Sequence, residues 1–230
     1  MSVSERLATV RAQVAEACRQ AGRAPAEVTI VGVSKTMPAE RVREAYQAGL
    51  RQIGENRIQE AVPKIQELAL PDATWHLVGH LQTNKAKYAA RHFAVVQSID
   101  SPRVAEALSI EARKVGRELE VMLEVNYAGE ASKFGFAPAE TVDAALAAAR
   151  LPALRVVGLM TVAPQAVDVE TIRPVFRGMR ELAERVRARL PETPAWHLSM
   201  GMTDDYPIAV QEGATIVRIG RAIFGERTMP

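Results

Sequence analysis

The 230-residue chain is 48% hydrophobic and 24% charged with a formal net charge of +2, an ordinary globular composition with enough material for one larger domain or two small ones. Its basic residues are scattered through helix-like segments, so neither nucleic acid nor an anionic membrane surface is an expected partner and small molecules are. One cysteine, Cys18, cannot close an internal disulfide, and no signal peptide or membrane-spanning apolar run stands out, so a cytoplasmic location is expected.

The opening segment SVSERLATVRAQVAEACRQAG predicts a helix. Ser2 and Glu5 have capping-box spacing, Leu7, Val10 and Val14 recur at helical spacing, and Gly22 closes the pattern. Eight short apolar or β-branched runs follow: VTIVGVS (28–34), RQIGE (51–55), TWHLVGH (74–80), FAVVQSI (93–99), LEVMLEVN (119–126), LRVVGLM (154–160), AWHLS (195–199) and TIVRIG (215–220). Between nearly every pair lies a helix-like stretch with proline near its start or glycine near its end, such as PAERVREAYQAGL or PRVAEALSIEARKVG. Pro63 is expected to kink or divide the helix in NRIQEAVPKIQEL. Regular alternation implies right-handed βαβ units and a parallel sheet. Eight units in a chain near the roughly 250 residues typical of a closed barrel favour a single-domain (β/α)8 TIM barrel over an open doubly wound sheet. The extra N-terminal helix precedes it, and no composition shift divides residues 1–230.

In such a barrel, function concentrates where strands end and their following loops begin. Lys35 ends the run IVGVSK with Val31 and Val33 behind it. Partial loss of solvation there lowers an amine's pKa and suits it to Schiff-base chemistry; alternatively, the side chain simply snorkels from a strand end. In SMGMTDDYPIAVQEG, Thr203 is a predicted N-cap with Asp204 and Asp205 in the first turn. Amides at that start, with the Ser199 and Thr203 hydroxyls, would cradle a phosphate, or the segment is an ordinary capped helix. Arg218 is embedded in an apolar strand and needs an acceptor, supplied by a ligand's anion or by a structural ion pair, while Gly220 permits close backbone approach. The histidines His76, His80, His92 and His197 lack metal-ligand spacing, and no metal site is expected. His76 and His197 fall within strand patterns and read as satisfied core or barrel residues.

The segments VSKTMPAERVREAYQAGLRQIGENRIQEAVPKI, WHLVGHLQTNK, GLMTVAP and HLSMGMTDDYPIAVQEGATIVRIGRAIFG, with their spacing, resemble the pyridoxal phosphate homeostasis protein family, similar in fold to the N-terminal barrel of alanine racemase. The resemblance runs from about Leu7 to Arg227. It implies pyridoxal 5′-phosphate (PLP) as cofactor, with Lys35 holding it as an internal aldimine. Ser199, Gly201, Met202 and Thr203 match the loop that binds the phosphate, and Gly220 and Arg221 add backbone amides. Arg218 matches an arginine facing the pyridine nitrogen, Asn56 lines the pocket within GEN, and Lys133 in SKFGF matches a second lysine near the cofactor mouth. Two positions depart from the family pattern: His80 stands where many relatives have another residue, often proline, and SKFGF replaces a commoner small-residue loop. A charged arginine at the ring nitrogen gives carbanion chemistry little help, and the chain ends at Pro230 without room for a second domain. The resemblance therefore implies a monomeric carrier or buffer of PLP in vitamin B6 and amino-acid homeostasis, with no catalytic residue and apo PLP-dependent enzymes as recipients. A weakly active PLP-dependent racemase and a Schiff-base aldolase using Lys35 are the alternatives.

Overall fold

The computed structural model describes residues 1–164, 168–190, 192–193 and 195–226. Arg227, where the family resemblance ends, lies outside them. Among the described residues, eight parallel strands close into a barrel in chain order. They are β1 (Thr29–Val33), β2 (Gln52–Glu55), β3 (Thr74–Leu77), β4 (Val95–Ile99), β5 (Leu119–Glu124), β6 (Leu154–Met160), β7 (His197–Ser199) and β8 (Ile216–Ile219). Each falls inside one of the runs read from the sequence. All five residues of β4 and all four of β8 are buried. Burial on both faces explains why these strands read as continuous runs rather than as alternations.

The helices are α1 (Val3–Gln20), α2 (Ala39–Gln47), α3 (Ile58–Leu68), α4 (Ala86–His92), α5 (Pro102–Lys114), α6 (Thr141–Ala149), α7 (Arg173–Arg189), α8 (Tyr206–Gln211) and α9 (Arg221–Phe224). The main core lies between their inner faces and the outer face of the barrel, while Val31, Met122, Val157, Met160 and Ile216 form a smaller apolar cluster. In α1 the capping box forms: Glu5 N–H donates to Ser2 Oγ and Ser2 N–H to Glu5 Oε2, at 3.2 and 2.7 Å. Its buried stripe of Val3, Leu7, Val10, Val14, Ala17 and Cys18 packs over α8, α9 and α2. The extra helix thus covers the outside of the barrel where its first and last strands meet.

Two local expectations are corrected. Of the two outcomes expected at Pro63, division does not occur: it sits inside α3, where Ile58, Ala61, Lys64 and Leu68 still make one buried face. The proline forgoes the bond that its missing N–H would have made. Helix α8 begins at Tyr206 with Asp205 as its N-cap, not at Asp204 behind Thr203. Asp205 precedes the helix and turns its carboxylate back onto the Met202 N–H, so residues 203–205 form a turn and Thr203 is not the N-cap.

Candidate functional site

The closing pair of the barrel builds the site. Strand β1 lies in register with β8, Val31 opposite Arg218 and Gly32 opposite Ile219, and on its other side with β2, Val33 opposite Gly54. Lys35, just past β1, is half-buried between the ends of these two neighbours. Its backbone is held from both sides. Before it, the buried Ser34 donates through N–H to the Gly54 carbonyl at 2.9 Å and through Oγ to Glu55 Oε1 at 2.6 Å. Lys64 of α3 donates to the Ser34 carbonyl at 2.9 Å and to the same Glu55 oxygen at 2.5 Å. After it, Thr36 adopts a left-handed φ of 63° and donates its N–H to Glu60 Oε2 at 3.2 Å. Burial pushes the Glu55 carboxyl above the usual carboxylate range against the pull of the Lys64 ammonium. Asn56, half-buried, follows Glu55 and borders a cleft of about 570 Å³ that also reaches Gly79, His80 and Lys85.

On the β7–β8 side, Gly201 turns the chain with φ of 94°, and a Cβ there would come within 2.6 Å of the Ala209 Cβ. Only glycine serves at this turn. At Gly220 a Cβ would meet the Val33 carbonyl at 3.4 Å, ordinary contact, so the backbone at the end of β8 passes beside the end of β1. The Ala222 N–H reaches Thr203 Oγ1 only at 3.5 Å, a long bond that a better acceptor would displace. Met202 N–H is occupied by Asp205, and the Arg221 guanidinium pairs with Asp204 at 2.5 Å. Both aspartates thereby have partners of their own. Burial raises the Asp205 pKa against its backbone bond to Met202.

Arg218 is 5% exposed and donates to Ser199 Oγ at 2.6 Å and to the Thr161 carbonyl at 2.7 Å. Both acceptors are neutral. Burial lowers its pKa to about 10, opposed by the more distant Glu124 and Asp205 carboxylates, so it is charged at neutral pH. Ser199 is fully buried and its hydroxyl donates to Gln97 Oε1 at 2.7 Å, so its one proton points into the barrel. Across the mouth, Lys133 donates to Glu130 Oε1 (2.5 Å), Ala163 O (3.1 Å) and Val162 O (3.3 Å), fastening the loop after β5 to the end of β6. It stands over β5 and β6, opposite Lys35 in the strand order.

Glu124 and Asp100, which the sequence did not single out, join this mouth together with His80 and Phe134. Glu124, the last residue of β5, is pushed up to about 7 by burial, with Arg218 pulling it down, Asp100 pushing it up and His80 pulling it down. His80 meets Asp100 Oδ2 through Nδ1 at 2.7 Å and stacks on Phe134 with ring centroids 3.9 Å apart. The two positions that depart from the family pattern are thus partners. The expected satisfied core histidine is found in His76, which bonds Gln52 and Gln97; His197 is half-buried at the start of β7 with its pKa lowered by burial. The signal that singled out Arg218, a polar residue in an apolar run, was present for Gln97 in FAVVQSI as well.

The arrangement is a half-buried amine, a charged guanidinium, a hydroxyl and glycine-lined turns gathered at one end of a parallel barrel. A small aldehyde carrying an anionic group fits that donor set: the amine suits the carbonyl, and Gly220, where a Cβ would meet only the Val33 carbonyl, leaves the backbone approachable. No three His, Cys, Asp or Glu side chains among the described residues are grouped to hold a metal ion. None of the described helices is long and apolar enough to cross a membrane.

Residues 6–228 match the family model for the alanine racemase N-terminal domain, which defines the class of barrel. Pyridoxal phosphate homeostasis proteins from Aquifex aeolicus and Pseudomonas aeruginosa are 40% and 44% identical, covering 99% and 98% of this chain and 99% and 96% of their own. The solved structure of PipY from Synechococcus elongatus PCC7942 with PLP bound is 39% identical, with a TM-score of 0.87, over 97% of this chain and all of that one (100%). This chain belongs to the pyridoxal phosphate homeostasis protein family.

Proposed function

We propose that this protein binds PLP at the C-terminal mouth of the barrel through a Schiff base on Lys35, and carries or buffers the cofactor in vitamin B6 and amino-acid homeostasis with little or no turnover. The observation that carries the reading is the register of β1 with β8, which brings the Lys35 strand end beside Arg218 and Gly220. Bound PLP supplies a reactive aldehyde and an electron sink. In this reading Lys35 anchors the aldehyde. The turn Gly201–Met202–Thr203 and the backbone at Gly220 and Arg221 receive the phosphate, Arg218 faces the ring, Asn56 lines the pocket and Lys133 stands at the rim. Ser199 contributes through Arg218, since its proton is committed to Gln97. We place the protein in the cytoplasm as a monomer, passing PLP to apo PLP-dependent enzymes.

The test is covalent and then functional. Purified protein should absorb as a lysine-bound PLP chromophore and be fixed by borohydride, and Lys35→Ala should lose both while keeping its circular dichroism. Loaded protein should then pass PLP to an apo-aminotransferase in the presence of a phosphatase that destroys free PLP. A reducible adduct retained on Lys35→Ala would move the attachment, with Lys133 the first candidate. One observation favours a second reading, a weak racemase: Glu124, with a pKa of about 7 at the mouth, can give or take a proton near neutrality. Robust exchange of an amino acid's α-proton with solvent would promote that reading.

A further inference from the structure

A chain of hydrogen bonds crosses the barrel interior beneath the mouth. Arg218 Nη1 meets Ser199 Oγ at 2.6 Å, Ser199 Oγ meets Gln97 Oε1 at 2.7 Å, Gln97 Nε2 meets His76 Nδ1 at 3.0 Å, and His76 Nε2 meets Gln52 Oε1 at 2.7 Å. It links β8, β7, β4, β3 and β2. Arg218, Ser199, Gln97 and His76 are all buried.

The chain has a direction, set at one end. A guanidinium can only donate, so Ser199 accepts from Arg218 and has one proton left to give. That proton requires an acceptor, which makes the Gln97 group facing Ser199 its carbonyl oxygen and the group facing His76 its amide nitrogen. Nδ1 of His76 is then an acceptor, and the imidazole carries its proton on Nε2, donated to Gln52. Burial lowers the His76 pKa to about 3, in keeping with this neutral form. Reversing the Gln97 amide would give Ser199 a second donor and strand its own proton inside the barrel, at a cost of about 1–3 kcal/mol for an unsatisfied buried group.

We propose that Gln97, backed by His76 and Gln52, is the positioning residue for Arg218: by taking the Ser199 proton it makes the Ser199 oxygen a fixed acceptor that holds the guanidinium across the C-terminal ends of β6 and β7. Its bearing on the cofactor rests on the functional reading above. The remaining charged groups in the field of Arg218, Glu124 from β5 and Asp205 from the turn before α8, act on it from longer range. Orientation therefore comes from neutral partners.

The experiment uses the full-length protein and begins without the cofactor. Nitrogen-15 NMR of the wild type should show His76 as the neutral Nε2–H tautomer between pH 5 and 9, and Gln97→Leu should change that signature. Gln97→Glu keeps an acceptor for Ser199 but removes the donor to His76, so His76 should acquire a second proton near neutral pH. A wild-type His76 protonated on Nδ1 would overturn the proposal, even if every variant failed to fold. With PLP added, Gln97→Leu should still give the borohydride-fixed adduct, yet shift the pH midpoint of the bound chromophore by about one unit or more. His76→Phe should shift it less, and Gln52→Met, at the half-exposed far end, least. An unmoved midpoint in Gln97→Leu with normal adduct formation overturns the positioning role and leaves the functional reading standing. Absence of any adduct in the wild type defeats that reading, and the cofactor role of the chain falls with it.

Discussion

Glu124 shows what burial does to a single carboxylate at a barrel mouth. Because its folded pKa lies at about 7, above the ordinary carboxylate value of 4.5, the folded state holds a proton that the unfolded chain releases first. Its contribution to stability is fully present below pH 4.5 and is lost as pH rises toward about 7. Replacing it with glutamine, which needs no proton, should flatten this part of the pH profile and stabilise the protein above pH 7 by about 1 kcal/mol or more. Urea unfolding at a series of pH values reads this directly, and a parallel profile for Glu124→Gln and wild type would show that the carboxyl is solvated in solution. At this scale the sequence was partly legible. Lys35 and Arg218 announced themselves as charges in apolar runs, whereas Gln97, though polar in such a run, lies 102 residues from Ser199 and nothing local pairs the two.

Among elements, α3 is tied to the site through charge. Lys64 from its buried face and Glu55 from β2 meet at 2.5 Å with side chains 9% and 0% exposed, and the same ammonium holds the Ser34 carbonyl next to Lys35. Breaking a buried pair from one side leaves a charge or a desolvated acid behind, so Lys64→Met should cost about 3–5 kcal/mol. Glu55→Leu added to it should recover part of that loss. Additive losses in a double-mutant cycle would show that the two groups are uncoupled. The sequence could not place this pair, since Lys64 follows a proline that the sequence suggested would kink or divide the helix. Nor could it fix the start of α8, which is decided by where the Asp205 carboxylate finds an amide. The alternation of strand and helix was legible because it depends on local pattern alone.

For the whole molecule, the closing register between β1 and β8 has a consequence for the order in which the protein becomes competent. Lys35 is synthesised early and Arg218 and Gly220 late, yet their strands pair directly, Val31 with Arg218 and Gly32 with Ile219. With PLP held as proposed, a nascent chain stopped before β8 would have no cofactor site, however well its earlier units had packed. Long-range closure is also the slow kind of contact, because its loop entropy must be met before the pairing is gained. A ligand held by both ends stabilises only the closed form: PLP at about one hundred times its Kd should add about 2.7 kcal/mol and raise the melting temperature, unless the site survives in an open chain. A fragment ending before residue 216 should show no PLP-dependent rise at all. In the cell, possession of the cofactor would then certify that a molecule has been translated through its last strand and folded shut.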